Sequence, residues 1–213
     1  MLLQNRFTLG PFETNAYLLI DRATRETAVI DVGFDADRIA QALDEAGVVV
    51  RYLLNTHAHY DHIAAMRTLQ ARVGGTYWLH PADRFLADGI TTQGAAMGLP
   101  AAVAPDEIHD LFDGQTLTLG ANTLSVIHTP GHSPGSVTFR CLDDLWVGDI
   151  LFAGSIGRTD LPGGSFETLR SSIRGRLFPL GDALSVHPGH GPSTTIGDER
   201  RTNAFVGDGA DLA

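Results

Sequence analysis

Three imidazoles and a carboxylate stand within six residues in His57-Ala58-His59-Tyr60-Asp61-His62, directly after the apolar run Tyr52-Leu53-Leu54. Neutral imidazole nitrogen and carboxylate oxygen suit a borderline-soft divalent metal ion. On extended chain, residues two apart point the same way, so His57, His59 and Asp61 are expected to converge. Asp61 and His62 are neighbours and are expected to diverge, which suits two adjacent ions better than one. Three later fragments offer partners: Thr129-Pro130-Gly131-His132, Gly148-Asp149 and Pro188-Gly189-His190. Each follows a short apolar run and reads as a strand ending in a turn that carries one donor. Several strand ends aimed at one place are a recurrent way to build a site on a rigid scaffold.

The elements that must position these donors can be read from periodicity and punctuation. Residues 2–9 and 15–21 flank Gly10-Pro11 and read as neighbouring strands, and residues 27–31 extend the sheet. Asp35 or Asp37 is expected to cap a helix that runs to Ala46 and stops at Gly47. Residues 48–54 form the strand feeding the histidine motif. Ile63, Met66, Leu69 and Val73 then mark an amphipathic helix ending at Gly74-Gly75. Residues 81–105 read as short helices and loop flanking the site. Strands at 116–119 and 124–127 surround a hairpin signal at Gly120-Ala121-Asn122. Further strands are expected at 137–141 and 145–147, with helices at 168–177 and 197–203. The glycines before His132 and His190 are expected to permit tight turns that aim the imidazoles.

A length of 213 residues suits one domain with a substantial core, so residues 1–213 are expected to form a single domain. No apolar run is long enough to span a bilayer, and residues 1–11 do not read as a signal peptide, so a cytoplasmic protein is expected. Cys141 is the only cysteine, which excludes an intramolecular disulfide and a thiolate zinc cluster. The formal charge of -10, from 25 acidic and 15 basic residues, argues against non-specific nucleic-acid binding. It leaves room for a small anionic substrate beside divalent ions.

With those residues in place, the chain resembles the metallo-β-lactamase superfamily. The superfamily's two His, Asp and third His match His57, His59, Asp61 and His62, and its later His, Asp and His match His132, Asp149 and His190. The order and flanks agree over about residues 15–201. Within the superfamily the chain is similar to the short, single-domain bacterial members of the glyoxalase II group, which hydrolyses acyl thioesters of glutathione. Gly148-Asp149-Ile150-Leu151-Phe152 and Gly157-Arg158-Thr159-Asp160 carry that likeness.

The resemblance implies an α+β fold, a four-layer αββα sandwich with two packed mixed β-sheets. It implies two divalent ions, zinc first, with iron or manganese as alternatives. One ion would sit on His57, His59 and His132 and the other on Asp61, His62 and His190, with Asp149 bridging. Such a pair makes hydroxide available near neutral pH for attack on the thioester carbonyl and stabilises the oxyanion. Asp61 is the candidate catalytic residue, orienting that hydroxide or moving a proton. Arg158 is the candidate substrate-binding residue, because its planar fork suits a carboxylate; the alternative is a salt bridge with Asp160. Tyr60 is expected to pack, and His80, His109, His128 and His187 are not expected to be ligands.

The expected substrate is S-lactoylglutathione or a related acyl thioester, with no nucleic-acid or membrane partner. The longer glyoxalase II enzymes carry a helical C-terminal region that helps bind glutathione; little sequence follows His190, so that surface is expected to be missing. The alternative is a mononuclear iron persulfide dioxygenase, with iron on His57, His132 and Asp149. A non-catalytic metal-bound scaffold is a lower one. β-Lactamase activity is disfavoured because Asp149 supplies a carboxylate that those enzymes typically lack.

Overall fold

Alternation along the strands sets the layering. The computed structural model describes residues 1–210. Strands β1 (Leu2–Leu9), β2 (Thr14–Asp21) and β3 (Glu26–Ile30) form an antiparallel meander whose middle strand is buried along its whole length. Side chains of a strand point alternately to its two faces, so a wholly buried strand must be covered on both sides. In β2, Ala16 and Leu18 pack with helices on one face, while Tyr17 and Leu19 join the apolar layer on the other.

Helix α1 (Ala36–Ala46) leads into β4 (Val49–Leu54), which pairs parallel with β3. Two short helices follow, α2 (Tyr60–Ile63) and α3 (Met66–Val73), then β5 (Thr76–Leu79), α4 (Arg84–Asp88), α5 (Ile90–Ala96) and β6 (His109–Asp110). The first sheet therefore runs β1-β2-β3-β4-β5-β6 and is mixed. Strands β7 (Thr116–Leu119), β8 (Asn122–His128), β9 (Val137–Cys141) and β10 (Asp144–Gly148) begin the second. A small separate hairpin, β11 (Leu151–Phe152) and β12 (Ser155–Ile156), precedes α6 (Phe166–Ser172). Strands β13 (Ser185–Pro188) and β14 (Thr194–Thr195) complete the second sheet in the order β14-β13-β10-β9-β8-β7, and α7 (Ile196–Thr202) follows.

The two sheets share a dry layer in which Phe139 and Trp146 are fully buried with Leu54, Leu124 and Val126. Burying each such side chain contributes about 1.5–3 kcal/mol. On the outer face of the first sheet Ile39, Leu43, Ile63, Met66 and Leu69 pack from α1 to α3. On the outer face of the second, Leu169, Ile173, Leu177 and Ile196 pack on Leu145, Val147 and Val186. The result is the four-layer αββα sandwich. Among the described residues no helix is long and apolar enough to cross a membrane.

Local readings need three corrections. The helix expected from Ile63 to Val73 is two helices, broken at Ala64-Ala65, where Ala65 donates its N–H to Val32 instead of continuing the ladder. Helix α6 starts earlier than residue 168, because Ser165 accepts the Thr168 N–H as its N-cap, and residues Ile173–Leu177 continue it as a π-helical turn. Asp35 precedes α1 but does not cap it through its side chain; its Oδ2 accepts the Gly10 N–H instead. Gly47 stops α1 as expected, in the left-handed region at φ 59° that glycine adopts without strain.

Candidate metal centre

All the candidate donors leave strand ends at one edge of the sandwich. β4 ends at Leu54 and releases Asn55-Thr56-His57-Ala58-His59, with His59 still extended (φ -74°, ψ 152°). The chain then turns into α2, so Asp61 and His62 project from a helical turn. The expectation of extended chain through Asp61 is thereby corrected, and so is that of divergence. On a helical turn the two neighbours reach one point, with His62 Nε2 3.4 Å from Asp61 Oδ2. His132 sits in the β8–β9 loop. β10 and β13 are parallel and bring Asp149 and His190 to the same edge.

Two groups result. His57, His59 and His132 gather with His59 Nδ1 2.8 Å and His57 Nε2 3.2 Å from His132 Nε2. In the second, His190 Nε2 lies 3.1 Å and His62 Nε2 3.4 Å from Asp61 Oδ2. Asp149 stands between them. Its Oδ1 is 3.5 Å from His62 Nε2, and its Oδ2 is 3.4 Å from His190 Nε2 and 3.7 Å from His132 Nε2. All seven sequence-derived donors thus meet.

The outer nitrogens decide what the inner ones can do. His57 Nδ1 faces Thr56 Oγ1 at 3.0 Å, and that hydroxyl donates to Asp31 Oδ2 at 2.6 Å. His62 Nδ1 faces Asp31 Oδ2 at 3.1 Å, His132 Nδ1 the Arg158 carbonyl at 2.7 Å and His190 Nδ1 the Phe12 carbonyl at 2.9 Å. Since these oxygens accept, each Nδ1 carries a proton, so a ring that holds no second proton turns a bare Nε2 lone pair inward. Lone pairs facing one another hold nothing together without a cation. Among the described residues His62 Nε2 and Asp149 Oδ1 are buried with no hydrogen-bond partner, as is the outward His59 Nε2. A buried polar atom in that state is costly, so the donor set fits divalent ions.

The groups differ electrically. Burial pushes the His57 imidazole well below its ordinary pKa and His59 down to about 3, and the neighbouring imidazoles add to both. In the second group burial opposes charge as well, but carboxylates outweigh it. Asp61 and Asp149 hold His62 well above its ordinary value, and hydrogen bonds to the same two carboxylates hold His190 at about 9. For Asp61 and Asp149 burial works upward and is overcome by His62 and His190, so both carboxyls sit far below the usual range.

Several supporting residues escaped the sequence reading. Buried Asp31 accepts from Thr56 N, Thr56 Oγ1, Asn55 Nδ2 and His62 Nδ1. Its atoms also lie within 4.8 Å of His57 and His62, but both oxygens are already taken, so it holds imidazoles and not an ion. Buried Asp83 accepts from Ala58 N and Ser133 Oγ on one oxygen and Gly135 N on the other, tying the His59 loop to the His132 loop. Asn15 Nδ2 and Tyr17 Oη donate to the Pro188 carbonyl and so pin the His190 turn to the first sheet. The signal available for Asp31 and Asp83 was an acid just past an apolar strand. Gly131 has φ 136° and a Cβ there would strike Leu169, as the turn reading required. Gly189 serves close approach instead, because a Cβ would meet the Asp149 carboxylate.

Other readings concern the surroundings. Tyr60 is buried, donates to the Pro100 carbonyl at 2.8 Å and packs. Ser133 and Ser136 bond each other and Asp83. Cys141 is a buried, free thiol. Arg158 lies on the wall of a cleft beside the donors, with Nε and Nη2 each 2.8 Å from an Asp160 carboxylate oxygen.

The chain is similar to known proteins in sequence and fold. The family model described as the metallo-beta-lactamase superfamily matches residues 9–190. A protein of Haemophilus influenzae described as hydroxyacylglutathione hydrolase GloC is 38% identical over 200 residues, covering 92% of this chain and 93% of that one. A crystal structure described as BLEG-1 B3 metallo-beta-lactamase superposes with a TM-score of 0.88 at 37% identity, covering 96% of this chain and 99% of that one. TTHA1623, solved in a di-iron-bound form, gives a TM-score of 0.87 at 37% identity, with 94% and 99% covered.

Proposed function

The chain belongs to the metallo-β-lactamase superfamily, and we propose that within it the protein is a dinuclear metal-dependent hydrolase of acyl thioesters, with S-lactoylglutathione or a related ester as substrate. The observation that carries the reading is the pair of donor groups with Asp149 between them, open to a cleft. His57, His59 and His132 would hold one divalent ion, Asp61, His62 and His190 the other, and Asp149 both. Zinc is proposed first, with iron or manganese as alternatives; the di-iron form of TTHA1623 supports divalent metals at such a centre. Bound as a pair, the ions supply a nucleophile deprotonated near neutral pH and polarise a carbonyl oxygen.

The chain's own residues do the rest. Thr14 Oγ1 donates to Asp61 Oδ2 at 3.0 Å and fixes that carboxylate. Asp61, kept ionised by His62 and His190, is thereby placed to orient the attacking water or hydroxide. A thiolate leaves without a strong general acid, and no serine or cysteine nucleophile is called on. Arg158 contributes its carbonyl to His132, and its pair with Asp160 stiffens the cleft wall. We further propose one domain over residues 1–213, working in the cytoplasm. The tight second group favours the dinuclear hydrolase over a mononuclear iron dioxygenase, which would leave Asp61, His62 and His190 idle.

The test is metal content per chain on protein purified without chelator, followed by turnover of S-lactoylglutathione, with a β-lactam assayed alongside because of the 37% identity to BLEG-1. About two ions and thioester turnover are expected. A single iron with oxygen consumption on persulfides, or β-lactam turnover alone, would overturn the proposal.

A further inference from the structure

The cleft beside the donors has a volume of ≈ 570 Å³, the size of a pocket for a small organic molecule. Its walls are carbon: Phe12, Leu86, Met97, Phe152, Leu161 and Pro162. Phe12 and Met97 stay 41% and 45% exposed. Away from the donors charge is scarce there. The chain has no lysine, and all 15 basic residues are arginine. Among the described residues Arg158 is the one arginine on the cleft wall, and Asp160 already takes its guanidinium through Nε and Nη2. A glutathione carrier brings two carboxylates and an ammonium, and leaving such groups without partners in a cleft is costly.

We propose that the cleft selects its substrate by an apolar arm, an aliphatic or aromatic chain next to the thioester, and not by the charged groups of a peptide thiol. This rests on the thioester reading. Removing such an arm from water beside Met97 and Leu161 tightens binding, by about fourfold for each buried methylene. The reacting carbonyl supplies the polar end and the donor groups recognise it.

Two thioester series on the metal-loaded enzyme test the proposal, with S-lactoylglutathione for comparison. One lengthens the acyl chain on N-acetylcysteamine from acetyl to octanoyl; the other lengthens the thiol of alkyl thioacetates. kcat/KM is expected to climb about fourfold per methylene in at least one series, to pass the glutathione ester, and to lose most of that slope in Met97→Glu. Two flat series, a preferred glutathione ester, or a slope untouched by Met97→Glu would each overturn the apolar selection while leaving thioester hydrolysis in place. If no thioester turns over, the hydrolase reading fails. Calorimetry with the stable thioether S-hexyl-N-acetylcysteamine then decides the cleft separately. Binding that weakens tenfold or more in Met97→Glu supports an apolar site, and no binding overturns it.

Discussion

The two halves of the centre solve the same problem in opposite ways. His57, His59 and His132 are buried, and burial first, then the neighbouring imidazoles, keep His57 and His59 free of protons. Asp61 and His190 stand at the cleft with side chains 18% and 27% exposed, and there carboxylates make the imidazoles basic. A cation entering the first half meets the lone pairs of His57 and His59, with Asp149 as its one near carboxylate. One entering the second finds negative charge but must displace protons. Similar ligand types thus give a seat with two imidazoles held proton-free and a seat with two held basic, because burial dominates in one and Coulomb attraction in the other.

The sharpest way to break this division is to remove what joins its halves. Asp149→Ala is expected to cost about a thousandfold or more in turnover, the equivalent of several kcal/mol of transition-state stabilisation, and to lower metal content. Full activity would remove Asp149 from between the groups. Asp31→Ala is expected next, at about 10–100-fold in metal affinity, because it releases His62 directly and His57 through Thr56. Asp83→Ala touches only the loops of the first group, so chelator titration should show a single weakened ion; two equally weakened ions would mean the groups are not separable.

A pH series sharpens the contrast further. His62 and His190 hold their protons up to high pH, so uptake by the second group should weaken as pH falls below about 9, by about tenfold per unit for each proton displaced. Uptake by the first should release no proton from His57 or His59 at neutrality, since burial holds both low and His59 protonates only near about 3. Counting protons released per ion in weak buffer checks this, and equal release by both ions would sink it. The smallest effect belongs to Arg158→Ala. With the guanidinium engaged by Asp160, KM should rise less than about threefold, the scale of an exposed pair. A large rise in KM on a carboxylate-bearing ester would instead make Arg158 a substrate anchor.

Much of this was legible in the residues. Histidine and aspartate packed after apolar runs are rare enough to stand out, so the seven candidate donors and the strands feeding them could be read before any coordinates, whereas the two-sheet sandwich came from the family resemblance and not from periodicity. Asp31 and Asp83 could not, because an acid past a strand end looks the same whether it meets water or holds a neighbour's imidazole. The helical turn at Tyr60–Ile63 was hidden for another reason. His59 is extended and Asp61 is not, and the switch lies inside the motif, where no glycine or proline announces it. The neutral and proton-bearing characters of the two halves were invisible too, since one follows from burial and the other from carboxylates brought close by folding, and composition encodes neither.

One feature of the layering bears on how the protein acquires its metal in a cell. The first sheet carries His57, His59, Asp61 and His62, while His132, Asp149 and His190 come from the second. During synthesis, where the N-terminal part emerges first, the early half presents donors but no finished seat. The tri-imidazole seat closes once His132 has emerged, and the carboxylate seat waits for His190. Under the dinuclear proposal, the order of synthesis would thus set the order in which the two seats become complete, the first with His132 and the second with His190.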